Sequence, residues 1–248
     1  MTTPSPGGRR DRVRAATITE IKQTALSLMH QHGTTNVRFT DIARAMGMTA
    51  PALYRYFADR DELLAALIVD AFEDLSQVVA EARRSVADDD VAGQWVASAQ
   101  AYRQWAKREP QQFALILGMP VPGYTPPAHG RTTEAAHRAM RQLASLFVEA
   151  GRLGQLRPPR VAAVPASLVA CAKERREEFG AYFPPETFQA MLHTWASLQG
   201  FVSLEAYGHL DWMPPPARDR LFESQIALAA EAAGLPVPEP SVAAERAT

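Results

Sequence analysis

Hydrophobic positions along this chain recur at helical spacing, with polar residues filling the gaps between them. Ile18, Ile21, Ala25 and Leu28 share one face of a first helix predicted over residues 11–32. Gly33 follows its last residue, where a left-handed backbone commonly closes a helix. Short helices are predicted at 40–46 and 50–57, then a longer one that starts after Asp59 and runs to about 85. The acidic segment ADDDV separates it from a helix over 92–108, striped by Trp95, Ala99, Tyr102 and Ala106. Pro110 breaks the chain, a short apolar helix covers 111–117, and GMPVPGYTPPAHG forms a loop. Further helices are predicted at 131–150, 165–179, 186–207 and 217–233. Runs of alternating apolar and polar residues are scarce, so the pattern predicts an all-α fold. The ends, residues 1–8 and 235–248, are predicted to be disordered tails.

The stretch DIARAMGMTAPALYRYFADRDELL, residues 41–64, holds two helices that are short and tightly joined. Ile42 and Ala43 face inward from the first. Gly47 admits the left-handed backbone that a sharp turn needs, and Met48 plugs the corner. Thr49 suits an N-cap and Pro51 is harmless in a first turn. Leu53 and Phe57 point inward, which leaves Thr49, Ala50, Pro51, Tyr54 and Arg55 on the outer face. This is the construction of a helix-turn-helix, whose second helix stands proud enough to enter a major groove. Asp59 and Glu62 form a D-x-x-E capping box for the next helix. Arg60 sits in that first turn, where the helix dipole disfavours a cation, so it points to an external anion; the alternative is a bond to Asp61 or to solvent.

Composition narrows the function class. Apolar residues make up 47% of 248, enough for a real core, yet no run has the length of a membrane span. The opening residues lack the apolar segment of a signal peptide. A single cysteine, Cys171, cannot build an internal disulfide framework or a cysteine-rich zinc site, and a reducing cytoplasm is the expected compartment. The net charge of −1 hides an asymmetry: residues 1–60 hold nine Lys or Arg against four Asp or Glu, and the remainder holds 17 against 23. A basic head of this kind suits a polyanionic partner. Motifs for nucleotide or acyl chemistry are absent, and no cofactor or metal is expected. His30 and His32 diverge on their helix, Cys171 lies on an apolar face, and Glu177 and Glu178 are adjacent and therefore point apart.

Taken together, TDIARAMGMTAPALYRYFADRDELLAAL resembles the DNA-binding signature of the TetR family of bacterial transcriptional regulators. The Ile-Ala pair, the turn glycine, the Thr cap, the Leu-Tyr-x-Tyr-Phe run and the basic residue before Leu-Leu carry the likeness over about 50 residues. WASLQGFVSLEAYGHL, residues 195–210, resembles the Trp-x-x-Leu-His-Gly stretch of a TetR subgroup, with Gln199 where histidine is usual. Arg38 stands where the family often has a Ser or Thr cap, and Arg60 replaces the common lysine.

The resemblance implies a helix-turn-helix DNA-binding domain over 9–58 and a larger helical ligand-binding and dimerisation domain over 59–234. Thr40, Arg44, Tyr54, Tyr56 and Arg60 would touch phosphates; Thr49, Ala50, Pro51 and Arg55 would lie nearest base edges. Arg9, Arg10, Arg12 and Arg14, before and at the start of the first helix, could form an arm that reaches a minor groove. The last two helices, with Phe188, Leu192, Trp195 and Val202 on one and Leu221, Phe222, Ile226 and Leu228 on the other, would pair with a second subunit. Trp95, Tyr102, Trp105, Phe113, Met119, Tyr124, Phe147 and Trp195 would wall an apolar cavity for an unidentified small molecule. The expected protein is a dimeric repressor, released from a palindromic operator in double-stranded DNA by that ligand. Two alternatives stay open at this point: an activator or architectural DNA binder of the same fold, and a helical enzyme with a vestigial basic head.

Overall fold

The computed structural model describes residues 8–175 and 184–237. In chain order its helices are α1 (Arg9–His32), α2 (Phe39–Ala45), α3 (Ala50–Leu53), α4 (Arg60–Arg84), α5 (Val91–Arg108), α6 (Pro110–Leu117), α7 (Arg131–Arg152), α8 (Ala166–Arg175), α9 (Pro185–Ala206) and α10 (Pro215–Ala233). No strand is present among the described residues, as the helical periodicity predicts.

Two compact units emerge. One combines the chain up to Ala71 with Glu109–Glu134; the other combines Phe72–Arg108 with the chain from Ala135 onward. The division differs from the predicted boundary at 58/59. The first turns of α4 close the head's own core, and α6 with the following loop joins the same unit. The amphipathic pattern gives helix faces but not which core each face enters, so a long helix shared by two units reads as part of one.

The core of the first unit is built from the predicted inner faces. Ile21, Ala25 and Met29 of α1 are buried with Phe39, Ile42 and Ala43 of α2, Leu53 of α3, and Leu63, Leu64 and Leu67 of α4. Gly33 closes α1 in the left-handed region at φ 62°, and Thr34 N–H donates to Met29 O at 3.1 Å. The carboxylate of Asp59 accepts from Glu62 N–H at 2.7 Å, which caps α4. The Glu62 carboxylate reaches one residue further back than a capping box requires, to Ala58 N–H at 2.6 Å.

In the second unit α9 and α10 pack along each other, with Phe201 and Phe222 tilted at a 5.1 Å centroid distance. Trp95 of α5 is buried and its indole N–H donates to Ile226 O of α10 at 2.9 Å. Arg103 of α5 forks onto buried Glu205 of α9 through two bonds of 2.6 Å and pairs with Asp219 of α10 at 2.8 Å. Its guanidinium lies over the Phe222 ring at 4.6 Å. Lys107 adds a second cation on Glu205 at 2.8 Å. Burial opposes ionisation of Glu205, but the bonds and charges of Arg103 and Lys107 prevail and hold its carboxyl below the usual value. Arg103 and Glu205 are thus buried and paired, while Lys107 and Asp219 complete the network from its exposed rim.

The C-terminal boundary also moves. Leu235, predicted to open a disordered tail, is 3% exposed. Gly234 takes φ 81°, and the backbone there runs against residues 157–160: Arg157 N–H donates to Gly234 O at 2.8 Å and Arg160 N–H to Ala232 O at 2.9 Å. This pairing holds Leu235 inward. The predicted end of the 165–179 helix, the pair Glu177 and Glu178, and the tails at 1–7 and 238–248 lie outside the described residues.

Candidate nucleic-acid interface

α2 and α3 meet at a turn whose geometry follows from its residues. Gly47 sits at φ 64°, and Met48 N–H donates to Ala43 O at 2.8 Å to close the corner. Thr49 takes the N-cap position with extended backbone, but its side chain makes no cap bond. α3 keeps one α-helical turn. Tyr56 and Phe57 N–H groups then donate to Leu53 O, and the predicted helix over 50–57 loosens into a turn. The chain must straighten before the Asp59 cap of α4, so the last predicted turn cannot remain helical.

The residues predicted to meet DNA differ in exposure, and Tyr56 is half-buried. Thr40, Arg44, Thr49, Pro51, Tyr54 and Arg55 are exposed, and Ala50 is half-buried beside them. Tyr54 keeps half of its surface in solvent while its ring rests on buried Phe39 at 5.1 Å. Arg44 reaches Asp41 only at 3.5 Å. The Arg55 guanidinium has no protein partner among the described residues, so its donors face solvent. A helix face bearing an uncommitted guanidinium, a threonine hydroxyl and small residues is chemically fit to meet base edges.

Two predicted DNA contacts are built differently. Arg60 is half-buried, and its guanidinium is engaged inside its own unit: Nε donates to Val37 O at 3.2 Å, Nη2 to Asn36 Oδ1 at 2.8 Å and Nη1 to Pro122 O at 3.4 Å. It thereby clasps the α1–α2 connection to the loop after α6. Asp61 lies 3.9 Å away, a weaker partner than these acceptors. Arg14 is the second case. α1 begins at Arg9, so Arg9, Arg10, Arg12 and Arg14 are helical and do not form an arm ahead of the helix. Arg14 donates to Arg55 O at 3.0 Å and covers the Tyr56 ring at 5.3 Å, bracing the end of the reading helix from behind. Asn36 and Arg14 are supports that sequence reasoning missed. Their partners lie 24 and 41 residues away, beyond any local pattern.

The aromatic set predicted to wall a cavity separates. Phe113, Met119 and Tyr124 belong to the first unit; Trp95, Tyr102, Trp105, Phe147 and Trp195 belong to the second. Met119 is 84% exposed and lines no enclosed space. Trp95, Trp105, Phe113 and Phe147 are fully buried, and the Trp105 indole donates to Asp74 at 2.7 Å. Tyr102 donates to Gln199, the residue standing where the subgroup has histidine, and burial pushes the Tyr102 hydroxyl pKa upward. Gln199 in turn donates to Ser203 at 3.0 Å, so it links Tyr102 to the next turn of α9.

Comparison with known proteins agrees with this geometry. The profile of bacterial regulatory proteins, tetR family, matches residues 21–67, and that of the tetracyclin repressor-like C-terminal domain matches 95–229. The HTH-type transcriptional regulator Rv1816 of Mycobacterium tuberculosis is 34% identical over 206 residues, which span 82% of this chain and 85% of that protein. The crystal structure of the regulatory protein SCO4313 superposes with a TM-score of 0.72 at 31% identity, covering 92% of this chain and 98% of that one. PfmR of Thermus thermophilus, a TetR-family regulator, shares the fold at 17% identity, with a TM-score of 0.53 over 87% of this chain and 98% of its own.

Proposed function

The chain belongs to the TetR family of bacterial regulatory proteins, a DNA-binding transcriptional regulator, and from that premise we propose that it is a dimeric repressor released from a palindromic operator by a small molecule. One observation carries the DNA-binding part. Thr49, Pro51, Tyr54 and Arg55 are exposed on and just after α3 with Ala50 half-buried among them, and the Arg55 guanidinium has no protein partner among the described residues. Arg55 takes a guanine edge through two N–H groups, Thr49 and Ala50 meet thymine methyls, and Thr40, Arg44 and Tyr54 hold phosphates. Arg14 braces the end of that segment through Arg55 O, and Arg60 ties the α1–α2 connection to the loop after α6.

The dimer part rests on the last two helices. Phe188, Val202, Phe222 and Ile226 are buried within the unit, whereas Leu204, Leu221 and Leu228 of the same helices are exposed. These leucines are the apolar surface that a second copy covers, and two-fold pairing places two reading helices on one operator. The ligand part rests on the second unit, whose helices α5, α7 and α9 carry the aromatic residues Trp95, Tyr102, Trp105, Phe147 and Trp195 that a largely apolar small molecule would meet. No helix among the described residues is long and apolar enough to cross a membrane, in keeping with a regulator that works in the cytoplasm.

Selection of bound sequences from a random DNA pool tests the reading. Enrichment of a two-fold motif, with half-sites about 34–36 Å or a multiple apart, is the expected result. Recovery of sequences without symmetry removes the operator model.

A further inference from the structure

An open cavity of about 440 Å³ lies in the second unit, where the end of α4 meets α5 and α7. Arg83, Arg84 and Arg152 line it together with Asp88 and Glu149. Nothing in the proposed aromatic ligand region involves these side chains.

Arg83 is the unusual member. Its guanidinium is held in one orientation by neutral acceptors alone. Nε donates to Gln94 Oε1 at 2.7 Å, and Nη1 donates to Gln142 O at 3.4 Å and to Ser145 Oγ. Gln94 is itself buried and fixed, because its amide donates to Ala87 O at 2.9 Å and Asp88 O at 3.2 Å. Nη2 of Arg83 has no acceptor among the described residues. The carboxylate nearest in kind, Glu149, is already forked by Arg152, with bonds between 2.5 and 3.1 Å. Burial lowers the Arg83 pKa, and Glu149 and Asp88 offset this only at a distance. A guanidinium taken partly out of water normally has a carboxylate bonded to it, since desolvating an unpaired charge is costly. Arg84, next in sequence and exposed, also lines the cavity and has no ion-pair partner among the described residues.

We infer that this cavity is a binding site for a small monocarboxylate, whose oxygens accept from the vacant Nη2 edge of Arg83 and from Arg84. Three arginines against two carboxylates leave one positive charge unbalanced, which one carboxylate neutralises. Asp88 and Glu149 repel a dianion at the same place, which favours a carboxylate over a phosphoryl group. Arg83 is preorganised by Gln94, Gln142 and Ser145, so little freedom is lost when the anion arrives. The volume falls within the range of small-molecule sites.

Acetate is the test probe, because it is the recognised group without the rest of a ligand. Full-length protein labelled with nitrogen-15 is titrated by replacing chloride with acetate at constant ionic strength, following the Arg83 Nε–H and Gln94 amide signals. The expected result is a saturable shift with a Kd on the order of 1–10 mM. Arg84→Gln should weaken it by about tenfold or more, and Arg83→Lys should abolish it, because an ammonium cannot present the fork. Arg84 is exposed and has no ion-pair partner among the described residues, so its variant carries the test even if Arg83→Lys does not fold. A linear, unsaturated shift overturns the site, as does a response unchanged by Arg84→Gln. Saturation by inorganic phosphate but not by acetate overturns the carboxylate assignment.

Discussion

Arg55 and Arg60 carry the same charge within one short stretch, yet their surroundings give them different work. The Arg55 guanidinium projects from the reading face with no acceptor among the described residues, so its donors remain for DNA. Arg55→Ala should relax preference at one base pair and cost about 1–3 kcal/mol there, measured by binding to operators permuted at each position. An equal loss for every base at every position would make Arg55 a phosphate contact. Arg60 instead bonds Val37, Asn36 and Pro122. Arg60→Ala should therefore loosen the connections around the head and lower affinity for all sequences. It should leave the slope of log affinity against log salt nearly unchanged, whereas loss of a phosphate contact lowers that slope by about 1. A drop of that size would restore Arg60 to the interface. Residue type and helical phase made the outer face legible in the sequence. The distinction between these two arginines was not, because it depends on acceptors brought near Arg60 from residues 36, 37 and 122.

At the scale of elements, most helices lie within one or two residues of where their hydrophobic period puts them. The departures have local physical causes: α3 unwinds early to reach the Asp59 cap, and the last helix ends in a backbone pairing that no side-chain pattern announces. Gly234 exposes that pairing to test. A Cβ at this position would lie 2.0 Å from Arg157 O, and φ 81° strains any L side chain. Gly234→Ala should destabilise the protein by about 2–4 kcal/mol in denaturant unfolding. A loss under about 0.5 kcal/mol would show that the 157–160 and 232–234 segments are not paired in solution. The Arg103–Glu205 network gives a second, pH-dependent prediction. The folded state holds the Glu205 carboxyl below its ordinary 4.5, so its stabilisation is complete above that pH and is lost as pH falls through the lowered value. Glu205→Gln should cost about 3 kcal/mol near neutrality, and its difference from the parent should shrink as the pH falls below the ordinary carboxylate value and through the lowered one. A difference independent of pH would mean that Glu205 acts by packing alone.

At the scale of the whole molecule, regulation requires that two equilibria share a state. The 25 residues of α4 begin at the Asp59 cap, supply Leu63, Leu64 and Leu67 to the head's core, and continue as Phe72–Arg84 into the second unit. One helix thus supplies residues to both units. In the proposed mechanism the effector binds the second unit more tightly in the conformation that holds the two reading helices off the half-site spacing. The preference must then be reciprocal: operator DNA must weaken effector binding by the same factor by which effector weakens operator binding. A coupling of the usual size, about 1–3 kcal/mol, corresponds to roughly 5–150-fold. The dimer comes first in this scheme, since a single reading helix has no spacing to lose. Light scattering at micromolar concentration should find two copies per particle without DNA, and charged residues at Leu221 and Leu228 should separate them. The decisive measurement is calorimetric affinity for an effector shown to bind the second unit, taken with and without a saturating two-fold operator. Matching fold-changes in both directions establish the switch. Equal effector affinities in the two titrations would uncouple the second unit from the head and leave a DNA binder that no small molecule releases.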